Sequence, residues 1–307
     1  MRNDSSPRFA GLAILLIAAV LVLVTGCGED GTTTPPPVNE FAPPTSLTVV
    51  NGSGEVLLRW LSSPDAADTD FKGYNVYRHT STMAGATDAQ LLSYKRNSAV
   101  VTSTTYTDRT ALNGTKYYYA VRALRGSSGL STATSEYDTA PRREGSDAID
   151  LAEFRYAGQP SGLGCSTPQA YAMESTSPDN RPFIDCYLGT MGTTDEINQA
   201  LALKSPHRVQ NGSPNWAGRA AELVLLGTGQ AAWDTPNAPT AGWGSQVELG
   251  ANPVDKVIAV RTPGGTGVRH YAKVWIQGVS GPAGQRVISA AVAYQEIADY
   301  PRFVAGR

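Results

Sequence analysis

The sequence predicts an all-β protein, a β-sandwich followed by a second β-rich, sandwich-like domain. Three observations carry that expectation. From Thr45 onward apolar residues alternate in short runs such as Val56-Leu57-Leu58-Arg59-Trp60 and Tyr117-Tyr118-Tyr119-Ala120-Val121, the pattern of half-buried strands. Turn residues separate the runs, drawn from 31 glycines and 20 prolines in 307 residues, and 14 tyrosines dominate the aromatic set. Only residues 194–203 read as a helix, with Ile197, Ala200, Leu201 and Leu203 near helical spacing behind Thr194 and Glu196 as capping residues.

Residues 9–24 form an apolar run preceded by Arg2 and Arg8 and closed by Thr25-Gly26-Cys27. Its length suits a signal peptide and falls short of the roughly 20 apolar residues of a membrane span. The segment Val24-Thr25-Gly26-Cys27 resembles the bacterial lipobox. That resemblance implies that residues 1–26 are a lipoprotein signal peptide, and that Cys27 becomes a lipidated first residue bearing diacylglycerol and palmitate. The membrane is then a partner through the lipid anchor. Gly28 stands where such lipoproteins often carry Asp for inner-membrane retention, which implies the outer membrane of the cell envelope. An ordinary cleaved signal with an incidental Cys27, or a retained membrane helix, are the alternatives.

Residues 27–44, beginning Cys27-Gly28-Glu29-Asp30-Gly31 and passing through Pro35-Pro36-Pro37 to Ala42-Pro43-Pro44, have no apolar set to bury and read as an extended tether. Residues 45–141 then supply a first strand at Leu47-Thr48-Val49-Val50, a turn at Asn51-Gly52-Ser53-Gly54, and a returning strand ending in Trp60. In the third strand Tyr74, Val76 and Arg78 share one face, and Asn75 and Tyr77 the other. Pro44, Leu47, Leu58, Trp60, Gly73 to Arg78, Tyr106-Thr107-Asp108, Asn113-Gly114-Thr115-Lys116-Tyr117, Val121 and Ala123 together resemble a fibronectin type III module, an immunoglobulin-like fold. The resemblance implies that Trp60 is the central ring and that the Tyr117 hydroxyl bonds back to the chain. Arg125-Gly126-Ser127 lacks the aspartate of an integrin tripeptide and reads as a turn. Asp65, Asp68 and Asp70 lack the spacing of a calcium loop and read as a solvated acidic turn.

Residues 142–147, opening Arg142-Arg143-Glu144-Gly145-Ser146, read as a solvated linker. Residues 148–307 form the second domain, with strand signals at 151–156, 170–173, 183–188, 222–226, 256–260, 271–277 and 287–294, and a hairpin turn at Gly281-Pro282-Ala283-Gly284. In an oxidising compartment Cys165 and Cys186 are expected to form a disulfide, worth about 3 kcal/mol for a loop of about 20 residues; two separately buried thiols are the alternative. Residues 231–244 have no periodicity and read as a long loop. Val260-Arg261-Thr262, Tyr271-Ala272-Lys273-Val274, Ala293-Tyr294-Gln295 and Phe303 weakly resemble the HmuY-like haem-binding lipoproteins. That resemblance implies haem as a ligand and leaves His207 and His270 as the histidine candidates, with Met173 and Met191 as further axial donors. The alternative places both histidines on the surface and both methionines in the core.

Loss of residues 1–26 removes two cations and one anion, moving the net charge from -2 to about -3, so no nucleic-acid partner is indicated. No zinc helix or nucleophile elbow occurs, so no metal is expected. Gly227-Thr228-Gly229-Gln230-Ala231-Ala232 copies a dinucleotide loop only superficially, because Pro236 and Pro239 follow; a turn after a strand is expected there. Asp185, Glu222, Asp234 and Glu248 are the carboxylates open to a glycosidase pairing, though nothing in their spacing selects two. The expected function is non-enzymatic binding or adhesion at the envelope, with no catalytic residues and no required cofactor. A polysaccharide or protein ligand would use Trp216, Trp233 and Trp243 as exposed stacking rings, unless these fill a shared small core beneath the loops. Haem capture is the first alternative, and an exported polysaccharide-active enzyme with a fibronectin spacer the second.

Overall fold

Alternating residues from Thr45 to Thr139 fold as two facing antiparallel sheets in the computed structural model, which describes residues 41–303 apart from 128, 146, 155, 174–177, 210–215, 217–218 and 263–266. The expected signal peptide 1–26, Cys27 and the expected tether as far as residue 40 lie outside the described residues. Strands β1 (Thr45–Gly52), β2 (Glu55–Leu61) and β4 (Thr105–Asp108) make one sheet in the order β1-β2-β4. Strands β3 (Phe71–His79), β5 (Tyr117–Arg125), β6 (Gly129–Leu130) and β7 (Tyr137–Thr139) make the other, with β6 and β7 both on β5. The inward set is Val56, Leu58, Trp60, Tyr74, Val76, Tyr117, Tyr119, Val121 and Ala123, spaced two apart along each strand. Trp60 packs edge-on against Tyr74 with ring centroids 5.3 Å apart. The Leu112 amide donates to the Tyr117 hydroxyl at 3.3 Å, closing the corner. This part of the chain is therefore fibronectin type III-like in topology and in its two marker residues.

Three features of this module depart from the reading above. Phe41 is buried at the edge of the core against Phe71, so the last turn of the expected tether is docked rather than free. Seven residues form helix α1 (Asp88–Tyr94), capped by Thr87, whose hydroxyl accepts from the Gln90 amide while its own amide donates to Gln90 Oε1 at 2.8 Å. The helix covers the outer face of the four-stranded sheet, where Leu91 and Tyr94 pack on Tyr77, Met83 and Ala120. Gly73 has a φ of +130°, and a Cβ there would stand 2.5 Å from the Val101 carbonyl oxygen, which is why glycine occupies the start of β3.

The expected linker is not solvated. Strand β8 (Arg143–Glu144) adds to the edge of the second domain's main sheet, Glu144 opposite Ala293 and Arg143 opposite Tyr294. Arg142 is 1% exposed, its Nη2 2.7 Å from Glu144 Oε1. A charged run stays solvated only where no strand edge offers its backbone partners; here β18 (Val287–Gln295) offers them. On the module's side of this crossing, Asp138 pairs with Lys116 at 3.1 Å and Arg302 at 2.8 Å, and its backbone carbonyl accepts from Arg302. Gln295 Nε2 donates to the Ala140 carbonyl. Residues 40–307 accordingly form one compact unit.

The second domain continues with β9 (Ile149–Ala152), β10 (Gly162–Gly164), β11 (Gln169–Tyr171), β12 (Cys186–Thr190), β13 (Leu201–Lys204), β14 (Glu222–Thr228), helix α2 (Gly229–Trp233), β15 (Gln246–Glu248), β16 (Lys256–Arg261) and β17 (Tyr271–Ser280). A five-stranded sheet, β11-β10-β12-β13-β15, faces a larger one, β14-β16-β17-β18-β8, with β9 also on β18. Leu163, Leu188, Leu201 and Leu203 from the first meet Val260, Val274, Ile276, Ile288 and Val292 from the second. The hairpin between β17 and β18 turns where expected, with Gly281 and Gly284 both at positive φ.

The expected helix over 194–203 is absent. Leu201–Lys204 is strand β13, wholly buried, and Asp195 sits at a φ of +53°, which ends any helical path at its first turn. Ile197 is left 47% exposed. Apolar residues at helical spacing here belong partly to a turn and partly to a strand buried on both faces, a pattern that periodicity alone does not separate.

Candidate functional site

The disulfide expected between Cys165 and Cys186 is not formed; both are free, fully buried thiols. In the register of β10 on β12, Leu163 and not Cys165 lies opposite Cys186. A hydrogen bond to Cys186, burial and the nearby Asp185 together push the Cys165 thiol well above its ordinary pKa, so it stays protonated and unreactive.

Asp185 beside them is the one carboxyl in this core whose ionisation opposes folding. Its Oδ2 accepts from the Cys165 amide at 2.8 Å, and Arg219 stands 3.4 Å from Oδ1. Burial nevertheless pushes the carboxyl up to about 6. A folded pKa above the unfolded value of about 3.9 means that the protonated form stabilises the fold at low pH, and that this contribution is lost as pH rises through about 6. Asp185→Asn is therefore expected to lose about 2 kcal/mol less than the wild type between about pH 4 and pH 7, measured by urea unfolding at each pH. Equal losses in the two proteins would refute the assignment.

The remaining candidates are not brought together into one site. His207 Nδ1 lies 2.6 Å from Ser205 Oγ, and burial followed by Arg208 lowers its pKa. His270 stacks on Tyr294 with centroids 5.4 Å apart, its Nδ1 3.2 Å from the Gln295 carbonyl. They stand beside different sheets, and neither lines the surface hollows described below. Met173 is core, packed with Ile184, Tyr187 and Trp216, while Met191 is half-buried. Among the described residues no group of three or more His, Cys, Asp or Glu is placed to hold a metal ion. The four carboxylates are engaged with different partners: Asp185 as above, Glu222 with Arg261 and Arg269, Asp234 with Gln230, and Glu248 exposed on β15.

The tryptophans expected to be exposed platforms are corrected in the same way. Trp216 is 2% and Trp233 6% exposed, and Trp243 is half-buried with its Nε1 donating to the Pro239 carbonyl. They fill three separate small clusters. Trp233 ends α2, a five-residue helix that follows β14 where only a turn was expected. It lies under two buried basic side chains: the Arg142 guanidinium carbon is 5.4 Å and Lys273 Nζ 5.9 Å from its ring centre. Lys273 also donates to the Trp233 and Thr235 carbonyls at 2.5 and 2.6 Å. Burial, with Arg142 adding to it, pulls the Lys273 ammonium down to about 6, and burial pulls Arg142 down to about 10. Alternation along β17 puts Lys273 away from the main core, a face that sequence reads as solvent; here α2, its following loop and Phe303 cover it.

A feature that the sequence reading missed lies on the module. The gap between α1 and the chain after β6 leaves a hollow of about 410 Å³ floored by Tyr77, Met83, Leu91 and Ala120. Its rim is polar: Arg122, paired with Asp88 at 2.6 Å, then Thr132, Thr134 and Glu136. Glu136 accepts from the Thr82 hydroxyl at 2.7 Å and the Met83 amide at 2.6 Å. A second hollow of about 360 Å³ shares Ala133, Thr134 and Glu136 with the first and runs on to Pro43, Pro44 and Tyr137. A third, of about 340 Å³, lies across α1 and shares Tyr77 and Asp88. The capping pair Thr87 and Gln90 ahead of Leu91 and Leu92 was the available sequence signal for the helix that builds these walls.

No protein-family model matches the chain. Over 124 residues, 39% of its length, it is 33% identical to an amylopullulanase from Thermoanaerobacterium thermosulfurigenes. Over 120 residues it is 34% identical to an amylopullulanase from Thermoanaerobacter thermohydrosulfuricus. The chain spans only 6% and 7% of the length of these two curated relatives. Among solved structures, a fibronectin type III-like protein from Clostridium thermocellum is 29% identical over a match that covers 34% of this chain and 98% of that one, with a TM-score of 0.25.

Proposed function

We propose that this chain is a non-enzymatic accessory of polysaccharide processing at the bacterial cell envelope, held there by a lipid on Cys27. The observation that carries the reading is the 33% identity over 124 residues to an amylopullulanase, in a chain that spans 6% of that enzyme. A segment so small is read as a fibronectin type III-like module that accompanies catalysis, not as the catalytic part. In bacteria, the wild type is expected to incorporate labelled fatty acid and to be retained on insoluble amylose without releasing reducing sugar. Cys27→Ser is expected to lose the label. Passage through amylose, or sugar release, would count against the accessory role; label retained by Cys27→Ser would remove the anchor.

A further inference from the structure

The first and second hollows of the module adjoin, and their chemistry favours one class of ligand. They share Ala133, Thr134 and Glu136 in their walls, so side by side they offer an extended trough. The floor is apolar, from Met83 and Ala120 at one end to Pro44 at the other. The cation at the rim, Arg122, is already paired with Asp88, while Glu136 accepts hydrogen bonds from Thr82 and Met83 on the loop after β3. An anionic ligand therefore finds no unpaired cation there. What remains on offer is spare acceptor capacity on Asp88 and Glu136 and the hydroxyls of Thr132 and Ser135.

The walls also disfavour an added peptide strand. Backbone amides of Ser131 and Thr134 point back to β5, donating to Ala123 and Val121, and Pro43 and Pro44 opposite have no amide hydrogen. A ligand that brings hydroxyls along its edges, apolar C–H faces, no net charge and an extended shape meets every one of these conditions. We propose that the trough from Tyr77 past Ala133 to Pro44 is a binding site for a neutral glucan chain. This rests on the accessory reading above and gives that reading a place on the protein.

Ala133 and Ala84 are exposed at the trough, on different loops, and neither contributes to a core. Filling it with Ala133→Trp or Ala84→Trp tests the proposal without touching the fold, which thermal unfolding checks. Titration calorimetry of the full chain with soluble amylose fragments is expected to show saturable binding, weakened at least about tenfold in each variant. Wild type and both variants retained alike on amylose would overturn the trough while leaving the accessory role intact. No binding of any glucan by the wild type would overturn both. Binding of a proline-rich peptide, with no response to glucan, would overturn the proposed ligand class.

Discussion

Asp195→Ala is expected to destabilise the protein by about 3–5 kcal/mol, because it strands a charge in the interior. Lys204 is fully buried on β13, its Nζ 2.7 Å from Asp195 Oδ1 and otherwise held by the Thr190 and Gly192 carbonyls. Asp195 also accepts from the Thr190 amide at 2.8 Å and the Tyr187 hydroxyl at 3.0 Å. Burial pulls the Lys204 ammonium down and raises the Tyr187 hydroxyl, so the hydroxyl stays a donor and the ammonium depends on Asp195 to stay charged. Gly189 belongs to the same arrangement, since a Cβ there would stand 2.3 Å from Asp195 Oδ1. Urea unfolding reads the loss directly. Adding Lys204→Met to Asp195→Ala is expected to restore much of it, because removing both charges removes the uncompensated one. A single-variant loss under about 1 kcal/mol would mean that water reaches Lys204.

Asp108→Ala is the matching experiment in the module, with a similar expected cost of about 3–5 kcal/mol. One carboxylate at the end of β4 binds across the sandwich: Oδ2 to Arg78 Nη1 at 2.7 Å and to the Tyr119 hydroxyl at 2.9 Å, Oδ1 to the Thr110 amide and hydroxyl. Burial opposes its ionisation, but the Thr110 bonds and Arg78 prevail and hold its pKa below the ordinary value. Arg78 also lies 4.4 Å over the Tyr117 ring, so the same carboxylate steadies the corner tyrosine. Because Asp138, Ala140 and Arg142 tie the module to the second domain, loss at Asp108 is expected to lower a single shared transition. Two separated thermal transitions would show the tie to be weaker than these contacts imply.

Sequence was most informative in the module, where alternation marked β2, β3 and β5 as strands and Trp60 and Tyr117 took the places that the fibronectin resemblance implied. It failed in the second domain, where loops cover the outer faces. Leu201–Lys204 and Lys273 lie in strands whose outer side is closed by loops, so polarity no longer marks solvent. Of the candidate sites, the tryptophans were misassigned for the same reason: a loop rich in proline and glycine looks exposed in sequence, yet folds back as a cover. The trough was not legible, because it is made by the distance between α1 and a strand edge, not by any residue pattern.

The crossing at residues 138–144 constrains how such a chain can be recombined. In a string of independent beads, any link is a place where one bead can be exchanged for another. Here a break after Gly145 takes away the strand that caps β18, leaves the Val292 carbonyl without the Gly145 amide, and uncovers Trp233 where Arg142 had lain. A junction ahead of Phe41 spares these contacts and keeps the two sandwiches of this chain together, as one exchangeable piece.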